Sequence, residues 1–224
     1  MDLETQNWLA IGIFAAATVG YHTLYHLYYR AYPLQTERGK LERYRKDWVA
    51  NILQSRNSIL AVQTIRNTLM ATTWLAGSML LVLAFLLTQD VRGEDAEALD
   101  KLGIVDHGFL SWKLNLLLVL FGFSFLMFLF ALRHLVLFNV LIGASPELIT
   151  QVEGIEAPEY LGQLINRAHA RFSFGVRATS FSLPALAWLY SPWAFIVLTI
   201  AVWLWIMLIH DSRHVGFMPR TRSG

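Results

Sequence analysis

In SILAVQTIRNTLMATT, residues 58–73, Gln63, Arg66 and Asn67 interrupt an otherwise apolar run. On a helix these three share one side, opposite Ala61, Val62, Ile65 and Leu69. An arginine held near a bilayer costs at least ~2.5–3.5 kcal/mol on insertion scales, so a partner or water must attend it. In the simpler reading Arg66 marks a membrane boundary and snorkels, while Gln63 and Asn67 bond neighbouring helices. In the sharper one the three line a vestibule or a ligand site. Asn139 in HLVLFNVLIG and Arg177 in FSFGVRATSF enter apolar runs in the same manner, where an unpaired polar group is expensive. With the spans laid out as below, Arg66, Asn67, Asn139 and Arg177 are predicted to form a polar ring at one depth. Gln63 stands beside it.

The histidines form a second constellation. His22 and His26 stand at i, i+4 in GYHTLYHLYYR, and His134 and His210 map to the same side of the membrane. Facing helices can hold haem between histidines, and an i, i+4 pair can ligate metal. Mixed tyrosine and histidine at an interface also serve as anchors, so no cofactor is expected and haem or metal stays an alternative. Gly12, Ala16 and Gly20 make a small-residue stripe suited to close helix packing, either internal or between subunits. The chain has no cysteine, which excludes disulfides, thiolate nucleophiles and thiolate-held iron–sulfur clusters. The predicted spans carry no Asp or Glu, which argues against a carboxylate proton relay. With no nucleophile–base pair, no phosphate-cradling glycine loop and no soluble domain, the chain is read as non-enzymatic.

These groups need elements to position them. Hydrophobic residues are 55% of the 224 and charged ones 15%, against roughly 45–50% and 25% in soluble domains. The apolar residues lie in long blocks almost free of charge, which predicts an all-α, polytopic membrane bundle as one domain, 1–224. The spans are placed at about 8–29, 69–88 (with a lead-in from Ile59), 111–132 (its helix continuing to Ile142), 174–190 and 193–209. The last block, Phe174–Ile209, has 36 residues, ~54 Å of helix and too much for one ~30 Å crossing. Ser191-Pro192 between Tyr190 and Trp193 divides it. Thirteen residues from Ala178 to Tyr190, with Pro184 among them, are short for a crossing. That segment either starts nearer Phe172 or forms a re-entrant arm.

Charge sets the orientation. Connection 30–66 holds eight Lys/Arg, whereas 89–110 holds Arg92 and Lys101 against six acids. The positive-inside rule puts the first in the cytoplasm and the second outside. Residues 133–177 and the tail are arginine-bearing too, so five crossings fit, with the N-terminus outside and the C-terminus inside. The N-terminus is read as the start of an uncleaved span. Ser145-Pro146-Glu147 predicts a helix start. The apolar spacing from Leu161 to Phe172 predicts an amphipathic helix lying along the inner surface. The basic stretch 38–56 is expected to meet anionic headgroups. A net charge of +2 gives no support to nucleic acid binding.

The stretches ILAVQTIRNTLMA (59–71), HLVLFNVLIG (134–143) and FGVRATSFSLPALAW (174–188), with Tyr21-His22, resemble domain-of-unknown-function family 599. The likeness runs from about residue 8 to 210. It implies a multi-pass protein of a bacterial inner membrane and supplies no substrate or catalytic residue. The leading expectation is a homo-oligomer that passes or binds a small solute or ion at the polar cluster. The alternatives are a scaffold or accessory subunit of a membrane complex, and a haem- or metal-binding redox subunit.

Overall fold

The structure, a computed structural model, describes residues 2–55, 58–88 and 107–207. Among them the chain is helical, with no strand. The elements are α1 (Leu3–Ala31), a short 3-10 turn (Pro33–Gln35), α2 (Glu37–Ser55), α3 (Ser58–Thr88), α4 (His107–Leu141), α5 (Pro146–Glu153), α6 (Ala157–Ala187) and α7 (Pro192–Trp205). In α1, in Ile59–Thr88 of α3 and in Phe109–Leu141 of α4, length and apolarity suffice to cross a membrane. A helix satisfies its own backbone groups, the condition hydrocarbon imposes on any chain within it. α7 is as apolar but only 14 residues long.

α6 is the axis of the bundle. It packs against α4, α2, α5 and α7, while α3 lies mainly on α4 and α1 on α7. Cross-helix contacts fix the directions. Asn7, Phe14 and His22 of α1 meet Trp188, Phe181 and Phe174 in that order, so α1 runs antiparallel to α6. Ser124 of α4 bonds the Gly175 carbonyl and Phe128 meets Phe172, so α4 is antiparallel to α6 as well. The chain then turns through Trp188–Ser191, and Phe195 of α7 comes back onto Phe14.

Two of the boundaries legible in the sequence are made as expected. Ser145 caps α5, its hydroxyl accepting from the Leu148 amide at 3.3 Å with Pro146 in the first turn. Ser191 and Pro192 open α7 in the same order. The amphipathic stretch after Pro158 corrects the expectation. It is no separate surface helix but the first half of α6, continuous to Ala187. Leu161, Leu164, Ile165 and Ala168 are buried in a cluster with Val49 and Ile52 of α2 and Leu135 and Phe138 of α4. Protein, not lipid, covers that face.

Different forces hold the two ends. Where α2 meets α6, burying an aliphatic side chain such as Val49 or Ile52 from water is worth ~1.5–3 kcal/mol. The Lys46–Glu159 pair nearby, at 2.7 Å but with both side chains over 40% exposed, is worth at most about 1 kcal/mol. Apolar burial dominates there. Farther along, in the apolar half, a small residue sets the spacing. A Cβ on Gly175 would stand 2.7 Å from Phe128 Cε1, and at the α2 end one on Gly162 would likewise stand 2.7 Å from Lys46 Cγ. The stripe expected to pack closely does not do so within the chain: Gly12 and Ala16 are exposed, and a Cβ on Gly12 or Gly20 would meet nothing within 4 Å.

Candidate functional site

Arg38, Leu41, Glu42 and Arg45 follow one face of α2, and Asn166, His169, Ala170, Ser173 and Arg177 follow one face of α6. The two stripes, with Tyr25 of α1, line a partly enclosed cavity of about 480 Å³. That size falls among ligand pockets of roughly 300–1,000 Å³.

Glu42 organises the α2 wall. Its carboxylate accepts from Tyr29 Oη at 2.6 Å and from Arg38 Nε at 2.9 Å, and Arg38 lies 4.5 Å from the Tyr29 ring centre. Asn166 ties the two stripes together, its amide donating to the Glu42 carbonyl at 3.1 Å and its oxygen accepting from Arg45 at 3.2 Å. Burial lowers the Arg45 pKa from its ordinary value, yet an arginine stays charged at neutral pH. Burial, with help from the Arg45 charge, pushes the His169 imidazole down to about 4. His169 is therefore neutral at pH 7. At the end nearest the bundle's middle, the Arg177 guanidinium lies 5.1 Å from the Tyr25 ring centre and 5.6 Å from that of Tyr21. Such cation–π contacts give ~0.5–2 kcal/mol and offset part of the cost of placing the charge there.

The expected polar ring does not form. Arg177 alone of its members lines the cavity. Gln63, Arg66 and Asn67 are exposed on α3, where Arg66 borders a shallow apolar groove with Met70 and Trp74. Asn139 follows Phe138, which stacks on Trp48 of α2, and its Oδ1 is buried with no hydrogen-bond partner among the described residues. Arg177 is level with Ser124 and Phe128 of α4; Asn139, eleven residues beyond Phe128, lies roughly 16 Å further along that helix. The residues thus differ in both depth and bearing.

The histidines disperse too. His22 stacks on Phe174 at 6.0 Å, behind the cavity wall, and its Nδ1 is 2.8 Å from the Thr18 carbonyl. His134 Nδ1 meets the Phe130 carbonyl of its own helix at 2.6 Å, His26 is exposed, and His210 lies outside the described residues. Glu42 and His169 are cavity residues that the sequence reading passes over. The available signal was polar residues at helical spacing on both elements, Arg38, Glu42 and Arg45 on α2 and Asn166, His169, Ser173 and Arg177 on α6. Another group it missed sits at the opposite end of α6. Asn7 and Lys113 are buried there, with Trp188 Nε1 donating to Asn7 Oδ1 at 2.7 Å.

A family model described as proteins of unknown function, DUF599, matches residues 9–214. The chain belongs to the DUF599 family. The match takes in every residue of the cavity, so the site lies within the DUF599 region itself. No curated protein and no solved structure matches this DUF599 chain.

Proposed function

We propose that this DUF599 protein is a non-enzymatic bacterial inner-membrane protein that holds a small anion in the α1–α2–α6 cavity at its cytoplasmic face. One observation carries the reading: three guanidinium groups, from two facing helices, border one cavity whose histidine is neutral. A basic concavity at a membrane boundary attracts negative solutes. The orientation follows from the lysines and arginines of 30–66. Binding is favoured over passage, because Phe14, Phe181, Trp188 and Phe195 fill the bundle beyond Arg177.

Thermal unfolding of the full chain in a nonionic detergent tests this with sulfate, phosphate and carboxylate salts of one cation, and with chlorides of several cations. Anions at 100 times Kd should raise stability by ~2.7 kcal/mol, and Arg45→Ala or Arg177→Ala should remove the effect. If no anion shifts the transition, or both variants respond like the wild type, the cavity is not an anion site. Self-association is a second reading, favoured by the exposure of Gly12 and Ala16 on α1. Cross-linking through cysteines placed at those positions would reveal it.

A further inference from the structure

We propose that the anion is a phosphodiester monoanion, the group common to anionic phospholipid headgroups and soluble glycerophosphodiesters. This rests on the anion-site reading above and narrows it.

Charge comes first. Arg38, Arg45 and Arg177 share the lining with Glu37 and Glu42, and three cations against two carboxylates leave one positive charge. A monoanion balances that lining, and a dianion leaves it negative. His169 does not alter the count, since its ring is neutral well above pH 4. Glu42 is held by Arg38 and by the Tyr29 hydroxyl, so its charge is already met and opposes a ligand less than a bare carboxylate would.

Donor geometry comes second. Arg38 and Arg45 each commit one nitrogen to a partner, Glu42 and Asn166. A guanidinium has five N–H donors in a planar fork, so both keep donors for a ligand. These forks come from α2 while Arg177 comes from α6. A planar carboxylate is satisfied by one bidentate fork, whereas a phosphate group presents oxygens in tetrahedral directions and can be met from both walls.

The remaining lining comes third. Tyr25, Leu41, Phe172 and Phe174 add apolar surface between the charged groups of the lining. A phosphodiester carries substituents on two ester oxygens, and these can lie on that surface while the charged oxygens meet the arginines. A free inorganic ion leaves that surface bare.

The test uses the purified full chain in nonionic detergent at pH 8, with dissociation constants measured for three soluble probes. Glycerophosphoglycerol is the phosphodiester monoanion, glycerol 3-phosphate the dianion and hexanoate the carboxylate. In parallel, delipidated protein is placed in nanodiscs of phosphatidylglycerol or phosphatidylcholine, and retained lipid is read by native mass spectrometry. Glycerophosphoglycerol or phosphatidylglycerol should bind at least tenfold more tightly than glycerol 3-phosphate and hexanoate. The arm that responds more strongly identifies the source as soluble or membrane-borne. Arg45→Lys, which keeps the charge but not the fork, should weaken binding at least fivefold. Ala170→Trp, which fills the cavity, should abolish it, and Arg66→Ala, on the outside of α3, should leave it unchanged. Tighter binding of glycerol 3-phosphate or hexanoate overturns the phosphodiester assignment but keeps the anion site. Absence of binding by every probe, beside unfolding transitions that no salt shifts, overturns both.

Discussion

His169 shows how a single side chain couples the cavity to stability. Its pKa is about 4 in the folded chain against an ordinary 6.5. Between those values the unfolded chain takes up a proton that the folded chain does not, so stability rises with pH across that window and falls as acid is added. Above about pH 6.5 both states are neutral and the group contributes no slope. His169→Gln keeps a polar side chain without the titration. Its unfolding midpoint should therefore lose less between pH 6.5 and 4 than that of the wild type, with the two curves parallel above pH 7. Parallel curves throughout would mean that water reaches the ring and the depression is absent. The residue was hard to find in the sequence because histidine is common at membrane interfaces. Its distinction is its burial, with the guanidinium of Arg45 adding to it from 124 positions earlier in the chain. Arg177, by contrast, announced itself as a charge inside an apolar run.

At the scale of elements, helix ends are local and were readable, while helix continuity and facing are not. Ser145-Pro146 and Ser191-Pro192 open α5 and α7 through chemistry contained in a few residues, a serine hydroxyl cap at Ser145 and a proline in the first turn of both. Pro184 falls in the last turn of α6 and does not stop the helix, but the change from amphipathic to apolar pattern at Phe172 reads as a boundary. α6 runs through it because its first half finds α2 and α4 as cover. The second half depends on Gly175, where the helix comes against Phe128 and accepts the Ser124 hydroxyl at 3.1 Å. Gly175→Val inserts methyl groups into occupied space and should cost ~1–3 kcal/mol. Phe128→Leu in the same chain should recover part of that loss, so the double variant is less destabilised than the summed single changes. Strict additivity in equilibrium unfolding would mean that the two helices do not touch there.

For the whole molecule, the sequence reading missed both the depth and the bearing of the polar residues. Positive charge assigns the connections to faces, but nothing in it says how far along α4 Asn139 stands, or that α3 lies on the outer side of α4 and carries Arg66 away from Arg177. That is why a ring became a cavity. The number of crossings follows a related logic. Trp188 bonds Asn7, and Trp8 contacts Phe109 and Trp112, so the α6–α7 turn is level with the start of α1 and of α4. Should α1 and α4 cross the bilayer, the turn reaches the same face they start from, even though α7 is short. Lacking cysteine, the chain allows the question to be asked one position at a time. In spheroplasts, cysteines at Asp2, Glu97 and the exposed turn residue Tyr190 should react with an impermeant maleimide. Cysteines at Gln54, Glu147 and Gly224 should react only after permeabilisation. Labelling at Asp2 with protection at Tyr190 would make α6 and α7 a re-entrant hairpin and leave three crossings. Labelling at Gly224 from outside would reverse the face on which the arginine cavity opens.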